Sequence, residues 1–304
     1  MKPALILHHY AASPYSEKIR LMLGQRQLPW LSVAMPPVLP KPDLMQLTHG
    51  YRRAPVLQIG ADIYCDSALI ADEIERRFPQ PAQPTPHGRA LAEVLSHWVD
   101  IELFWLTVRL VMGRHAEQIP QFMLDDRAAM HRQYDFSRQT LVADLPQVTA
   151  QLRPMLAWLD ALLTGQSFFA GALPSGGDFG VYHPLWFLNN IGALNELAPQ
   201  DGPLLAWFGR MTAFGHGEHA ELSAAEAIHL AWSAQPEKAG GVAEPGWQVG
   251  MPVSVMPEGY PLEAVHGALC GLTAQRISLA VETPAGGHLH LHFPRLGYQL
   301  TQAD

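Results

Sequence analysis

The sequence predicts a small α/β domain, then an all-α domain, then a small C-terminal antiparallel β barrel-like module. Two breaks in composition separate these regions. Four prolines fall within residues 79–86, and a stretch rich in glycine and proline covers residues 234–246. Both compositions favour linkers. The hydrophobic period changes at the same breaks, which places the domains at residues 1–80, 87–232 and 246–304.

The composition is typical of a folded protein with sizeable cores. Of the 304 residues, 48% are hydrophobic and 16% are charged, which excludes a disordered chain. Acidic residues number 28 and basic residues 20, so the formal net charge is −8. A nucleic-acid partner is therefore not expected, because such proteins carry a basic face.

The two cysteines, Cys65 and Cys270, lie far apart in the sequence. Their number and spacing exclude a disulfide scaffold, a cysteine-only zinc site and a Cys-x-x-Cys redox pair, and they suit a reducing compartment. No apolar stretch reaches the roughly 20 residues that a membrane helix needs, and the first residues do not resemble a signal peptide. We expect a cytoplasmic protein without a membrane partner.

The first region alternates strand and helix signals. Residues 4–7 are typical of a short buried strand, and residues 16–24 are typical of a helix. Apolar runs at residues 55–59 and 61–65 predict a hairpin, and an amphipathic pattern at residues 67–78 predicts the helix that follows it.

The second and third regions differ from each other in period. Apolar residues step by three and four along residues 91–112 and 152–163, which predicts long amphipathic helices. Apolar residues alternate along residues 249–255, 277–281 and 289–293, which predicts antiparallel strands.

Ser13 and Pro14 stand between the first predicted strand and the first predicted helix. Proline is favourable at the first helical position, so one interpretation makes Ser13 a simple N-cap. Such a turn also presents unpaired N–H groups and the positive end of the helix dipole. In the second interpretation a thiolate binds there and accepts a hydrogen bond from the Ser13 hydroxyl.

Two further motifs flank the predicted hairpin. Pro55 begins a strand, and a cis peptide bond there would expose the preceding backbone for pairing with an extended peptide; an ordinary strand-starting proline is the alternative. Asp66 and Ser67 precede the next helix. Asp66 would receive an ammonium group, with Ser67 as N-cap, and simple capping is again the alternative.

In this order and spacing, the three motifs resemble the N-terminal, thioredoxin-like domain of glutathione S-transferases. The segment Ser13-Pro14-Tyr15-Ser16 is also similar to the glutaredoxin Cys-Pro-Tyr-Cys motif with both cysteines replaced by serine, which puts dithiol chemistry out of reach. The resemblance covers residues 1–230. It implies a serine-type transferase with glutathione as co-substrate.

The resemblance also implies roles for individual residues. Ser13 would contact the glutathione sulfur, with Tyr10 as the competing donor. The glutathione-binding residues that it implies are Arg53, Ala54, Pro55, Asp66 and Ser67, with Lys41 as a further candidate. A cis proline would pair with the cysteinyl backbone, and the acid-plus-serine pair would hold the γ-glutamyl end. Asp66 stands where glutamate is common in the family, and its side chain reaches less far.

The second region strengthens the resemblance. Ser175 and Asp178 are similar to the family's helical-domain signature. The serine would cap a helix, and the aspartate three residues later would reach back to the cap N–H. Residues 203–214 look like the family's late helix with its tryptophan. This signature implies a role in folding and not in catalysis.

The histidines provide a competing hypothesis of a metal site. His288, His290 and His292 share one face of a predicted strand, a spacing that zinc sites use. Alternating polar residues on an exposed sheet face are the ordinary case, however, and no carboxylate lies nearby in the sequence. His216 and His219 form a second, weaker group. We predict no metal.

Two functions remain open from the sequence. In the first, the protein is a homodimeric transferase in which the Ser13-stabilised thiolate attacks a small electrophile. In the second, it is a non-catalytic glutathione-binding or scaffold protein whose β module recruits a partner. Because every thiol-site candidate precedes position 70, we expect deletion of residues 245–304 to leave glutathione binding within a few-fold.

Overall fold

The structure is a computed structural model that describes residues 3–80, 85–242, 244–258 and 264–303. Within these residues, every helix is too short or too polar to cross a membrane. The chain divides into two compact units. The first, called the sheet unit, comprises Met1–Ser16, Gln27–Arg77 and Glu218–Asp304, and the second, called the helical unit, comprises Glu17–Arg26 and Phe78–Gly217.

The described residues contain eleven strands and twelve α-helices. The strands are β1 (Leu5–His9), β2 (Trp30–Ala34), β3 (Val56–Ile59), β4 (Asp62–Cys65), β5 (His219–Glu221), β6 (Gly241–Val242), β7 (Pro252–Pro257), β8 (Val265–Leu272), β9 (Arg276–Glu282), β10 (His288–Pro294) and β11 (Tyr298–Gln302). The helices are α1 (Pro14–Gln25), α2 (Pro42–Thr48), α3 (Ser67–Arg77), α4 (Pro86–Trp98), α5 (Phe104–Arg114), α6 (Gln121–Met130), α7 (Arg138–Ala143), α8 (Leu145–Leu162), α9 (Gly176–Asn189), α10 (Ala193–Leu197), α11 (Pro203–Thr212) and α12 (Ala224–Ser233).

All the described strands belong to one sheet in the sheet unit. Its order is β11-β7-β8-β9-β10-β4-β3-β1-β2-β5, and β6 pairs with β8. The predicted β3–β4 hairpin is confirmed, with Val56 opposite Cys65. The predicted antiparallel pairing of the C-terminal strands is also confirmed. Strand β2 and helix α2 were not predicted, because their sequences lack a clear period.

The C-terminal strands extend the first sheet and do not form a separate one. Strand β10 runs parallel to β4, with His290 opposite Asp62 and His292 opposite Tyr64. Among the described pairings none joins β11 back to β10, so the predicted barrel-like closure is not shown. The reason is that β10 finds its second neighbour in β4.

The C-terminal strands share one hydrophobic core with β4 and α12. One hydrophobic cluster contains Ile63 and Cys65 of β4, Ile228 of α12, and Leu279 and Leu291 of the C-terminal strands. Because the pleat places alternate residues on opposite faces, pairing β10 with β4 makes their apolar faces continuous. Helix α12, which the sequence assigned to the all-α domain, packs with this cluster in the sheet unit.

A buried network of hydrogen-bonded polar groups joins β4 to its neighbour β10. The ring of His292 lies 2.9 Å from the Asp62 carboxylate through Nε2 and 2.8 Å from the Ser278 hydroxyl through Nδ1. The Glu237 N–H donates to the second Asp62 oxygen at 2.8 Å. Burial lowers the pKa of His292, so its imidazole is neutral at physiological pH. Nε2–H therefore donates to Asp62, and Nδ1 accepts from Ser278.

This hydrogen-bond network changes the interpretation of the β10 histidines. His292 is buried beside a carboxylate that the sequence places 230 positions away. His288 lies on the surface instead. Within the part of the chain that the structure describes, no group of three or more His, Cys, Asp or Glu residues is arranged to hold a metal ion.

The helical unit contains the predicted serine–aspartate signature. The Ser175 N–H donates to the Asp178 carboxylate at 2.8 Å, which confirms the predicted reach back to the cap. Asp178 also accepts hydrogen bonds from the Trp207 indole N–H at 2.9 Å and the Phe169 N–H at 3.0 Å. One buried carboxylate thus joins the start of α9 to α11 and to the loop before α9.

A buried histidine connects β1, β3 and α12 in the sheet unit. His8 donates through Nε2 to the Gln58 side chain at 2.9 Å, and the Gln58 amide donates to the Ala227 carbonyl at 2.8 Å. Burial, which outweighs the hydrogen bond to Gln58, lowers the pKa of His8 from 6.5 to about 4. Folding therefore favours the neutral imidazole.

We predict that His8 makes the protein less stable in acid. The unfolded chain binds a proton at His8 below a pH of about 6.5, whereas the folded chain binds it only near pH 4. The free energy of unfolding should therefore fall between these values, by about 3 kcal/mol from His8 alone. His8→Gln keeps a donor for Gln58 but does not titrate. Urea unfolding from pH 7 to pH 4 should show a smaller loss in the variant, and parallel curves would contradict the assignment.

The shared core reverses the expected effect of truncation. Deletion of residues 245–304 would expose the face of β4 that carries Ile63 and Cys65, and would remove the His292 partner of Asp62. Exposed apolar area of this kind causes aggregation. We predict that the truncated chain is insoluble or lacks a cooperative unfolding transition. Soluble yield and thermal unfolding, with the full chain in parallel, measure this, and a soluble fragment with native near-ultraviolet circular dichroism would contradict it.

Candidate functional site

Three segments of the sheet unit meet at one edge of the sheet. In the antiparallel pairing of β1 with β3, His8 lies opposite Val56. In the hairpin, Val56 lies opposite Cys65. The residues that follow β1, precede β3 and follow β4 therefore leave the sheet on the same side. These segments contain all the predicted site residues except Lys41.

Ser13 occupies the start of α1. Its N–H donates to the Tyr10 carbonyl at 3.1 Å, and its hydroxyl oxygen accepts the Ser16 N–H at 3.1 Å. This is the geometry of an N-cap, as predicted. A serine hydroxyl has one proton as well as its acceptor lone pairs. Because the hydroxyl oxygen accepts the helix N–H, the hydroxyl proton can be donated to an anion at the helix N-terminus.

Lys41 and Tyr10 lie together beside the segment that precedes β3. The Lys41 amine donates to the Arg52 carbonyl at 2.9 Å and lies 5.8 Å from the centroid of the Tyr10 ring. Lys41 is buried. The hydrogen bond from Lys41 therefore fixes the backbone immediately before Arg53. Tyr10 is partly buried and packs against the hydrophobic cluster.

The segment 53–55 carries the predicted proline. The Ala54–Pro55 peptide bond is cis, as the sequence predicts. The described ladder between β1 and β3 begins at Val56, so Ala54 lies outside it. Arg53 is partly buried next to this turn.

Asp66 caps α3 in an unusual conformation. Its φ is 83°, in the left-handed region that residues other than glycine rarely adopt. Its carboxylate accepts the Ala68 N–H at 2.9 Å through Oδ1, and its carbonyl accepts the Ile70 N–H at 3.0 Å. The N-cap is therefore Asp66 and not Ser67, which is the first residue of the helix. Strain of this kind is often retained where a side chain has a function.

Tyr298 belongs to the same site and was not predicted. Its hydroxyl donates to Oδ2 of Asp66 at 3.0 Å. It is the first residue of β11 and lies 232 positions from Asp66. The sequence contains no signal for this contact, because the alternation in β11 indicates a face of a strand and not its distant partner.

The electrostatics at this edge keep two tyrosines protonated and Arg53 charged. Burial, reinforced by the Asp66 carboxylate, raises the pKa of Tyr298 and of Tyr51 well above the ordinary value. Burial opposes the charge of Arg53, but the surrounding Tyr298, Tyr51 and Asp66 groups outweigh it and raise its pKa. Tyr298 is thus a hydrogen-bond donor at physiological pH, and Arg53 is a cation.

The two cysteines are unsuited to thiol chemistry. Burial, together with the charge of Asp66, raises the pKa of the Cys65 thiol well above its usual range. Burial raises the pKa of Cys270 to about 12. Both thiols therefore stay protonated at physiological pH.

Family comparisons agree with both units. Residues 7–82 match the N-terminal domain of glutathione S-transferases, and residues 142–210 match the C-terminal domain. A search of curated proteins found no match.

Solved structures extend the similarity to the whole chain. A GST-like protein from Pseudomonas syringae is 35% identical, and the match covers 100% of both chains with a TM-score of 0.80. Glutathione S-transferases from Rhodospirillum rubrum F11 and Sinorhizobium meliloti 1021 are 16% and 18% identical, each with a TM-score of 0.54. Those two matches cover 69% of this chain and 88% of each relative, and they show the fold alone.

Along the chain, the match to the thioredoxin-like N-terminal domain is followed by the match to the helical C-terminal domain, which is the order of the family. The full-length similarity to the Pseudomonas protein and the two family matches make the assignment specific. This chain belongs to the glutathione S-transferase family. The full-length match includes the residues of its C-terminal strands.

Proposed function

We propose that this protein binds glutathione at the described sheet edge and joins the glutathione sulfur to a small electrophile. The observation that carries the proposal is the geometry of Ser13. Its oxygen accepts the Ser16 N–H, so its proton can be donated to a thiolate at the start of α1. The helix dipole adds a further favourable interaction with the negative charge.

Ser13 is a better thiol donor than Tyr10 on this geometry. Ser13 lies at the helix N-terminus itself, at the positive end of the helix dipole. The Tyr10 ring packs against the hydrophobic cluster and beneath the Lys41 amine. Tyr10 is therefore the second candidate.

The other residues would bind the peptide part of glutathione. The backbone of Ala54, outside the β1–β3 ladder, would pair with the cysteinyl residue, next to Pro55. Asp66 would receive the γ-glutamyl ammonium, and Ser67 at the start of α3 would hold the adjacent carboxylate. Arg53 supplies positive charge close by, and Lys41 would act by holding the backbone before it.

The chemical step requires a thiolate. A free thiol with a pKa of about 8.5 is only about 3% ionised at pH 7. A hydrogen bond from Ser13 and the dipole of α1 lower that pKa, and the thiol proton leaves to solvent. In a substitution, the sulfur lone pair then forms a bond to the electrophilic atom and the leaving group departs with its electron pair. In an addition to an epoxide or an activated alkene, the displaced electron pair stays on the product and takes a proton from solvent. Ser13 keeps its own proton throughout.

We also propose that the protein acts in the cytoplasm as a homodimer. Both parts of this proposal follow from the family and from the use of cysteine in a reduced, unpaired form. Analytical ultracentrifugation of the purified full chain would test the dimer.

The Ser13→Ala variant tests the proposed thiolate role. We predict that the rate of thiol transfer falls about tenfold or more, which corresponds to about 1.4 kcal/mol of lost stabilisation. The pKa of bound glutathione should rise by about one unit, measured from thiolate absorbance across a pH series. The affinity for glutathione, measured by calorimetry, should change less than the rate.

Two control variants separate this effect from loss of a helix cap. Ser13→Thr keeps both the cap and the hydroxyl, and should retain most of the activity. Ser223→Ala removes the N-cap of α12, whose side chain accepts the Glu226 N–H, and should lower stability by about 1 kcal/mol without changing the rate. Equal rates for wild type and Ser13→Ala would indicate that Tyr10 or backbone N–H groups stabilise the thiolate instead. Glutathione binding without turnover of aryl halides, epoxides or activated alkenes would instead favour a non-catalytic protein.

A further inference from the structure

The carboxylate of Asp66 is fixed from two sides. The Ala68 N–H contacts Oδ1 from the first turn of α3, and the Tyr298 hydroxyl contacts Oδ2 from β11. A carboxylate with two oxygens has about four acceptor positions. Two of these positions are used, and the others can accept hydrogen bonds from a ligand.

Tyr298 is itself held firmly in place. Its ring packs against Phe293 with centroids 5.7 Å apart, and Phe293 packs against Tyr51 at 5.9 Å. The Tyr298 hydroxyl gives its only proton to Asp66.

We propose that Tyr298 is a positioning residue of the glutathione site, which fixes Asp66 so that its remaining lone pairs receive the α-ammonium of the γ-glutamyl group. This inference rests on the proposed function and adds a residue from the C-terminal strands to it. An aspartate is shorter than the glutamate common at this position. A hydroxyl that holds the carboxylate in one orientation compensates for that shorter reach, because less conformational freedom is lost on binding.

The proposal also defines the class of thiol that the site prefers. A fixed carboxylate favours a ligand with a positively charged amine, because hydrogen bonds between charged groups are stronger than those between neutral groups. The same ligand without its α-amino group gains nothing from the orientation of Asp66. Tyr298 should therefore favour thiols with a free γ-glutamyl ammonium over N-acylated or deaminated thiols.

The test compares two ligands in three proteins. Wild type, Tyr298→Phe and Tyr182→Phe are titrated by calorimetry with glutathione and with glutaryl-cysteinyl-glycine, which lacks the α-amino group. Tyr298→Phe keeps the ring contact with Phe293 and removes only the hydroxyl. Tyr182→Phe is the matched control, because it removes a tyrosine hydroxyl that is bonded to Thr212 within the helical unit. Circular dichroism and thermal unfolding establish that each variant is folded.

We predict that Tyr298→Phe weakens glutathione binding about tenfold, or about 1.4 kcal/mol, and changes binding of the deaminated analogue by less than about twofold. The KM for glutathione should rise while kcat stays nearly constant, since the hydroxyl acts in binding and not in the chemical step. Tyr182→Phe should bind both ligands as wild type does. The double variant Tyr298→Phe with Asp66→Glu should regain part of the lost affinity.

Three results would overturn the inference. Unchanged glutathione binding by Tyr298→Phe would show that the hydroxyl does not position Asp66. Equal weakening of both ligands would show a packing role alone. If wild type binds neither ligand, the proposed function fails, and this inference fails with it.

If Tyr298→Phe does not fold, the wild-type complex with glutathione provides the test. Its crystal structure should place the ligand ammonium and the Tyr298 hydroxyl each within about 3 Å of the Asp66 carboxylate. An ammonium bound elsewhere would overturn the inference.

Discussion

The buried Asp62 carboxylate is the constraint on which the sheet unit depends. Asp62 is 2% exposed, and an unpaired charge at that depth would be very costly. Its close partners are the His292 ring and the Glu237 N–H, both from the C-terminal part of the chain. A buried carboxylate at position 62 of β4 is therefore stable only because β10 lies beside it. The same pairing covers the N–H and C=O groups that an edge strand would expose.

This constraint extends to the candidate site through the strand itself. Strand β4 runs from Asp62 to Cys65, and the next residue is Asp66. Once β10 is paired with β4, the chain returns through β11 and places Tyr298 against the Asp66 carboxylate. The C-terminal strands thus stabilise the sheet and, through Tyr298, contribute a contact to the candidate site. Their presence does not by itself point to a partner-recruiting module.

The sequence predicted the local parts of the site and not the long-range ones. The cap by Ser13 and the hairpin follow from residue types over a few positions, and the family resemblance added the cis bond before Pro55. The link between Asp62 and His292 does not, because alternation tells which face of a strand is buried and not which strand lies next to it. The histidines of β10 looked like an exposed row for the same reason. Asp66 replaced Ser67 as the cap because the aspartate adopts a left-handed conformation that no sequence pattern indicates.

The acidic net charge of the chain does not oppose an anionic ligand at this edge. Glutathione carries more carboxylate groups than ammonium groups, and its reactive form adds a thiolate. The local field matters more than the distant surface charge, which salt screens beyond about 10 Å. Helices α1 and α3 both begin at this edge, so two positive helix ends lie there, and Arg53 adds a full positive charge. Asp66 is the local exception, and an ammonium-bearing ligand makes that one negative group favourable for binding.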